Sequence, residues 1–208
     1  MINLINSLAK TFLKAVFAGI LIGIAGFGYL VHPTIGMVLF AAGLAGVVLY
    51  GVPLFTGVAG ANKYDDIGII YLLFVLGGNF LGAFLAGIIA YCSPFDVELT
   101  ASEIIKSRLN AGPFQVFGLA TGCGIIVEMA VNFARNNDSF TKWLPLILGV
   151  PLFVMTGMAH CVADWFYFSL ADRLSSAEMW SYCFISLITV LGNAFGCNIY
   201  RFCLVKSE

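Results

Sequence analysis

The chain has 208 residues, of which 61% are apolar and only 10% charged, with a net charge of −1. An ordinary soluble domain carries about a quarter charged residues, so this composition excludes one. The near-zero net charge also offers no basic field for nucleic acid and no acidic field for cations.

Charge-free intervals divide the chain. None of Asp, Glu, Lys or Arg occurs between Lys14 and Lys63, or between Asp66 and Asp96. Arg108 to Glu128, Lys142 to Asp164 and Glu178 to Arg201 are equally bare. A membrane-spanning helix needs about 20 apolar residues. The first interval holds two spans and the other four hold one each. The expected spans are 13–31, 37–57, 66–92, 113–134, 143–170 and 177–203, in a single all-α integral membrane domain. The first apolar run leads into a second without an Ala-x-Ala cleavage site, so it does not read as a signal peptide.

With the N-terminus inside, the inner segments hold Lys10, Lys14, Lys63, Arg135, Lys142, Arg201 and Lys206, against Lys106, Arg108 and Arg173 outside. That bias predicts cytoplasmic termini and a multi-pass protein of a cell (inner) membrane. The cysteines, Cys92, Cys123, Cys161, Cys183, Cys197 and Cys203, form no CxxC pair. They read as small buried apolar residues, with no metal or cofactor implied.

Residues 51–57 spell Gly-Val-Pro-Leu-Phe-Thr-Gly, and residues 149–157 spell the same string with two residues inserted. Gly78-Asn79-Phe80-Leu81-Gly82 in span three is echoed by Gly192-Asn193-Ala194-Phe195-Gly196 in span six. Spans two and five match, as do three and six, which predicts a 3+3 repeat over about residues 10–95 and 110–205. Three spans per copy force the second copy to enter from the opposite side, the inverted architecture of transporters and channels. Pro53 and Pro151 each remove a backbone donor, and Gly57 and Gly157 allow positive φ shortly afterwards. Spans two and five are therefore expected to break there into half-helices.

His160 lies deep in span five, where an ionisable group is costly and marks a path. Asp164 is one turn on, and two roles stay open for it: orienting His160, or pairing with Arg173. Thr56 and Thr156 occupy matching places in the repeated string and offer hydroxyls. Glu128 is expected to form a structural ion pair with Arg135. The charged segment 93–112 is expected to end in a short surface helix, whose Lys106 or Arg108 either gathers anions or is simply solvated.

These residues resemble the formate/nitrite transporter family. Leu54-Phe55-Thr56-Gly57 matches four of the five positions of its Leu-Phe-Thr-Gly-Asn motif. Gly157-Met158-Ala159-His160-Cys161-Val162-Ala163-Asp164 aligns with its Gly-Phe-Glu-His-Ser-Ile-Ala-Asn motif, keeping the Gly, His and Ala. Pro53 and Ala159 stand where the family has glutamates, and Val58 and Asp164 where it has asparagines. The resemblance implies an aquaporin-like fold and a homopentamer with one path per protomer in the lipid bilayer. It also implies transport of small monovalent anions, such as formate, nitrite or hydrosulfide, and makes His160 the central pore histidine with Thr56 as its polar partner. Leu54 and Phe55 would form apolar constrictions, and Lys106 would draw anions to the outer mouth. The expected function is a weak-acid anion channel linked to proton transfer at His160, with no enzymatic role. The alternative is a pore for a neutral small solute.

Overall fold

The computed structural model describes residues 2–60, 65–172 and 174–204. Lys63, Arg173 and Lys206, used above for orientation and for one reading of Asp164, lie outside them. Among the described residues the fold is all helical, with no strand. The helices are α1 (Ile2–Val31), α2 (Pro33–Leu49), α3 (Asp66–Tyr91), α4 (Glu98–Arg135), α5 (Leu144–Met155), α6 (Cys161–Leu170) and α7 (Ser176–Leu204). Four of them, α1, α3, α4 and α7, are long and apolar enough to cross a membrane.

Small residues decide how the long helices pair. Gly19 and Gly82 let the backbones of α1 and α3 touch: a Cβ on Gly82 would run into the Val16 carbonyl, and one on Gly19 into that of Asn79. The contacts ascend together, Ala15 with Gly78 and Gly23 with Ala86, so α1 and α3 are parallel. The same device joins α4 and α7, where Gly196 meets the Thr121 carbonyl and Gly124 that of Asn193. Such close approach is how helices associate where lipid removes the hydrophobic drive between them. Helix α6 ties the pairs together. It runs alongside α3, with Trp165 on Phe80 and Phe168 on Phe84, and against α7, with Trp165 bonded to Ser186 and Phe168 stacked on Tyr182. The α1/α3 and α4/α7 pairs therefore point in opposite directions. The end where α1 begins is called the near face below, and the opposite end the far face.

Helix α4 has two arms. Gly112 takes φ 75°, which a residue with a Cβ rarely adopts, and Pro113 follows it. The first arm, from Glu98, is helical where a short surface helix is expected, but it buries Ala101, Ser102, Ile105 and Arg108 against the rest of the bundle.

Helices α2 and α5 end alike. Gly51 and Gly157 take φ 58° and 69°. Gly51 N–H bonds to Val48 O and Val52 N–H to Val47 O. Gly157 N–H bonds to Val154 O and Met158 N–H to Phe153 O. Each is a Schellman end with glycine in the left-handed position. This corrects two expectations. Pro151 does not interrupt its helix: it lies inside α5, and the chain leaves helical geometry only at Thr156. Gly57 has no positive φ. It lies in a 3-10 turn, Phe55–Gly57, pressed on α4, where a Cβ would meet Val131 Cγ1 at 2.9 Å.

Gly82→Val and Gly196→Val should each abolish the monodisperse peak of the purified protein in size-exclusion chromatography, because neither backbone contact can open for a side chain. Gly118→Ala, with open space around its Cα, should leave that peak intact and gain up to about 1 kcal/mol of helix propensity.

Candidate functional site

Past the Schellman ends, both chains turn back into the middle of the bundle, and two asparagines receive them. Asn79, halfway along α3, accepts from Phe55 N–H at 2.8 Å and donates to Pro53 O at 3.1 Å and Ala15 O at 2.8 Å. Asn193, on α7, accepts from Cys161 N–H at 2.9 Å and donates to Ala159 O at 2.9 Å and Ala120 O at 2.8 Å. Both are fully buried, and the three bonds use the amide's acceptor and both donors. The pairs Gly51/Gly157, Val52/Met158, Pro53/Ala159 and Phe55/Cys161 keep one constant spacing. Thr56 therefore corresponds to Val162, and the match of Thr56 with Thr156 is out of register. Thr156 is exposed, and its hydroxyl turns back to Leu152 O at 2.7 Å.

The two returning segments meet where Thr56 Oγ1 and His160 Nε2 lie 2.9 Å apart, both buried. His160 is also the N-cap of α6, and its Nδ1 accepts from Ala163 N–H at 3.2 Å. An acceptor Nδ1 assigns the proton of the neutral ring to Nε2, so the imidazole donates to Thr56 and the threonine hydroxyl is left to donate elsewhere. Phe153 stacks on the imidazole with centroids 6.0 Å apart, and Phe40 packs edge-on to Phe153. With Leu44, Val127 and Val150 these rings form an apolar neck beside His160 holding a void of only about 10 Å³.

Two cavities open on opposite sides. The far cavity, about 370 Å³, reaches His160 past Phe153, Tyr167, Glu103, Arg108 and Asp164. The near cavity, about 330 Å³, is lined by Thr11, Lys14, Gly51, Pro53, Tyr71 and Arg135 among others. Leu54 and Phe55 are packed into the core, and the neck is built from other side chains. Lys106 does not join the far cavity. It lines a separate one of about 630 Å³ with Glu178 and Trp180.

Arg108 is the cation beside His160, and it is fully engaged. Its Nε donates to Asp164 Oδ2 at 3.1 Å, Nη1 to Gly157 O at 2.6 Å, and Nη2 to Met158 O at 3.1 Å. Asp164 thus neutralises Arg108, and its carboxylate makes no bond to His160, to which it is joined only by the backbone bond from Asp164 N–H to His160 O at 2.8 Å. Arg135, at the other end of α4, does the same for the other return: Nη1 reaches Gly57 O at 3.2 Å and Nη2 reaches Val52 O at 3.1 Å. The expected Glu128–Arg135 ion pair is absent. Glu128 is buried, and its Oε2 has no hydrogen-bond partner among the described residues. Cys123, Cys161 and Cys197 are buried as expected, whereas Cys92, Cys183 and Cys203 are exposed.

His160 and Thr56 stand out in the sequence, whereas the role of the two asparagines in the returns does not. Their cost as polar residues within apolar spans was the available signal.

A sequence model of the family described as Formate/nitrite transporter matches residues 2–205. The chain belongs to that family. It is 26% identical over 163 residues to the formate channel FocA of Haemophilus influenzae, a match that covers 70% of the chain and 57% of the relative. The chain therefore spans little more than half the length of that curated relative. Among solved structures, a pentameric formate channel with formate bound is 25% identical, with a TM-score of 0.75 over 96% of this chain and 95% of the other. An ion channel of the same family, 20% identical, superposes with a TM-score of 0.81 over 94% and 88% of the two chains and supports the fold alone. These relatives are membrane channels, not enzymes.

Asp164→Ala should destabilise the protein by about 3–5 kcal/mol, because it leaves a buried guanidinium unpaired. Asp164→Asn, which keeps a carbonyl acceptor for Arg108, should cost clearly less. Thermal unfolding in detergent compares the two.

Proposed function

We propose that the protein is a transmembrane channel for a small monovalent weak-acid anion such as formate, nitrite or hydrosulfide, with one path per protomer. The carrying observation is the Thr56–His160 contact at 2.9 Å, buried where the far cavity reaches His160 and beside an apolar neck. The opposed helix pairs and the matching Schellman ends support a 3+3 inverted repeat whose second and fifth spans are broken. The solved relative described as a pentameric formate channel supports a homopentamer and a small anion substrate. The basic residues of the near face, Lys10, Lys14, Arg135 and Lys142, support cytoplasmic termini in a cell membrane.

Moving a bare charge into the neck is costly. Neutral His160 is a poor proton source, since losing Nε2–H would leave an imidazolate. Its contribution is to polarise the Thr56 hydroxyl, which donates to the solute. An anion held there and stripped of water becomes a stronger base, because desolvation disfavours the charged form. It takes a proton from the water behind it, passes the neck as the neutral acid, and releases the proton on the other side.

A second reading, a pore for a neutral small solute, is favoured by the Arg108–Asp164 pair, which leaves the far cavity without an unpaired cation among its described lining residues. Flux into proteoliposomes separates the two. The anion reading expects formate flux that rises as pH falls and drops at least tenfold in His160→Ala. Absence of flux for formate, nitrite and hydrosulfide at every pH, with folded protein, overturns it. Osmotic swelling with a neutral solute alone would put the pore reading in its place.

A further inference from the structure

The two cavities differ in charge, and neither the family nor the central contact accounts for the difference. In the near cavity the described lining residues include two cations, Lys14 and Arg135, and no carboxylate. Arg135 spends its donors on backbone carbonyls, so its charge is not cancelled by an ion pair. Glu128, two turns earlier on α4, acts on Arg135 electrostatically but does not line the cavity. In the far cavity the described lining includes two carboxylates, Glu103 and Asp164, against the single cation Arg108. Asp164 consumes the charge of Arg108, and Glu103, exposed on the first arm of α4, is left in excess. The other described cation of that arm, Lys106, lies in the neighbouring cavity beside Glu178.

We propose that this opposition of charge makes the channel electrically one-sided. Anions load preferentially from the near face, where Lys14 and Arg135 concentrate them, and Glu103 at the far mouth opposes their entry. The inference deepens the anion-channel reading and rests on it. Glu103 and Lys14 are specificity-determining residues that act on the local concentration of the permeant ion before it reaches Thr56. A unit charge at a mouth of this size changes that concentration about twofold in dilute salt, and the effect fades as the screening length shrinks.

The test uses the full chain in proteoliposomes, with orientation established by protease protection and labelled formate added on one face at a time. At about 10 mM ionic strength, the formate concentration that half-saturates initial flux should be at least about twofold lower from the near face than from the far face. Glu103→Gln should lower the far-face half-saturating concentration about twofold, and Lys14→Gln should raise the near-face one by a similar factor. At about 1 M salt the wild-type ratio should fall toward one. Both positions are exposed, so these variants are expected to fold. Equal half-saturating concentrations from the two faces at low salt, or an asymmetry unmoved by either variant, overturn the inference and leave the channel reading standing. No formate flux from either side overturns the channel reading itself.

Discussion

The structure depends on one requirement: two stretches of non-helical backbone in the middle of an apolar body must have their polar groups satisfied without bulk water. Each unpaired amide or carbonyl there costs several kcal/mol. Four side chains meet the demand in matching pairs. Asn79 and Asn193 hold the deep ends of the returns, and Arg108 and Arg135 hold the outer carbonyls. A planar guanidinium suits this role, since its fork of fixed donors reaches two carbonyls at once, which a lysine ammonium on a flexible stem does less well. Both arginines are on α4, so a single helix braces both interruptions. Its kink at Gly112 redirects the Arg108 arm relative to the Arg135 arm.

The sequence was most legible where physics acts through composition. Charge-free intervals placed the helices, because a span tolerates few charges whatever its neighbours, and the cost of an intramembrane imidazole marked His160. Register was poorly legible. The repeated Gly-Val-Pro-Leu-Phe string invites an alignment of Pro53 with Pro151, yet the hydrogen bonds pair Gly51 with Gly157 and Pro53 with Ala159. The string is largely apolar packing sequence, which recurs without marking equivalent places. The backbone register is instead set by a glycine at each Schellman end, and in a chain with 23 glycines a single one carries little signal. Pro151 misled for a related reason: a proline inside a membrane helix removes one donor, and neighbouring groups absorb that loss.

Lys106 and Arg108 illustrate another limit. Two residues apart on a helix, they point about 200° apart around its axis. Only one of them can face the cavity that reaches His160, and periodicity alone does not say which. The deciding partner is Asp164, at the family's asparagine position, whose carboxylate pairs with the guanidinium. Sequence spacing offered His160 and Arg173 as partners for Asp164. It did not offer Arg108, which is 56 positions away in the chain.

For the proposed channel, the capping bond at His160 would place selectivity away from the centre. With Nδ1 occupied by Ala163 N–H, the ring offers Nε2–H and no free acceptor. The meeting point of the two returns can therefore donate a polarised hydroxyl to many small acceptors but distinguishes poorly among them. Discrimination between an anion, its conjugate acid and an unrelated neutral solute must then arise before the neck, from the fields of the two cavities, or within it, from the penalty on charge. Asp164 bears on both. By neutralising Arg108 it lets an arginine brace the 157–158 carbonyls without creating a fixed anion trap beside the neck, where tight binding would oppose release.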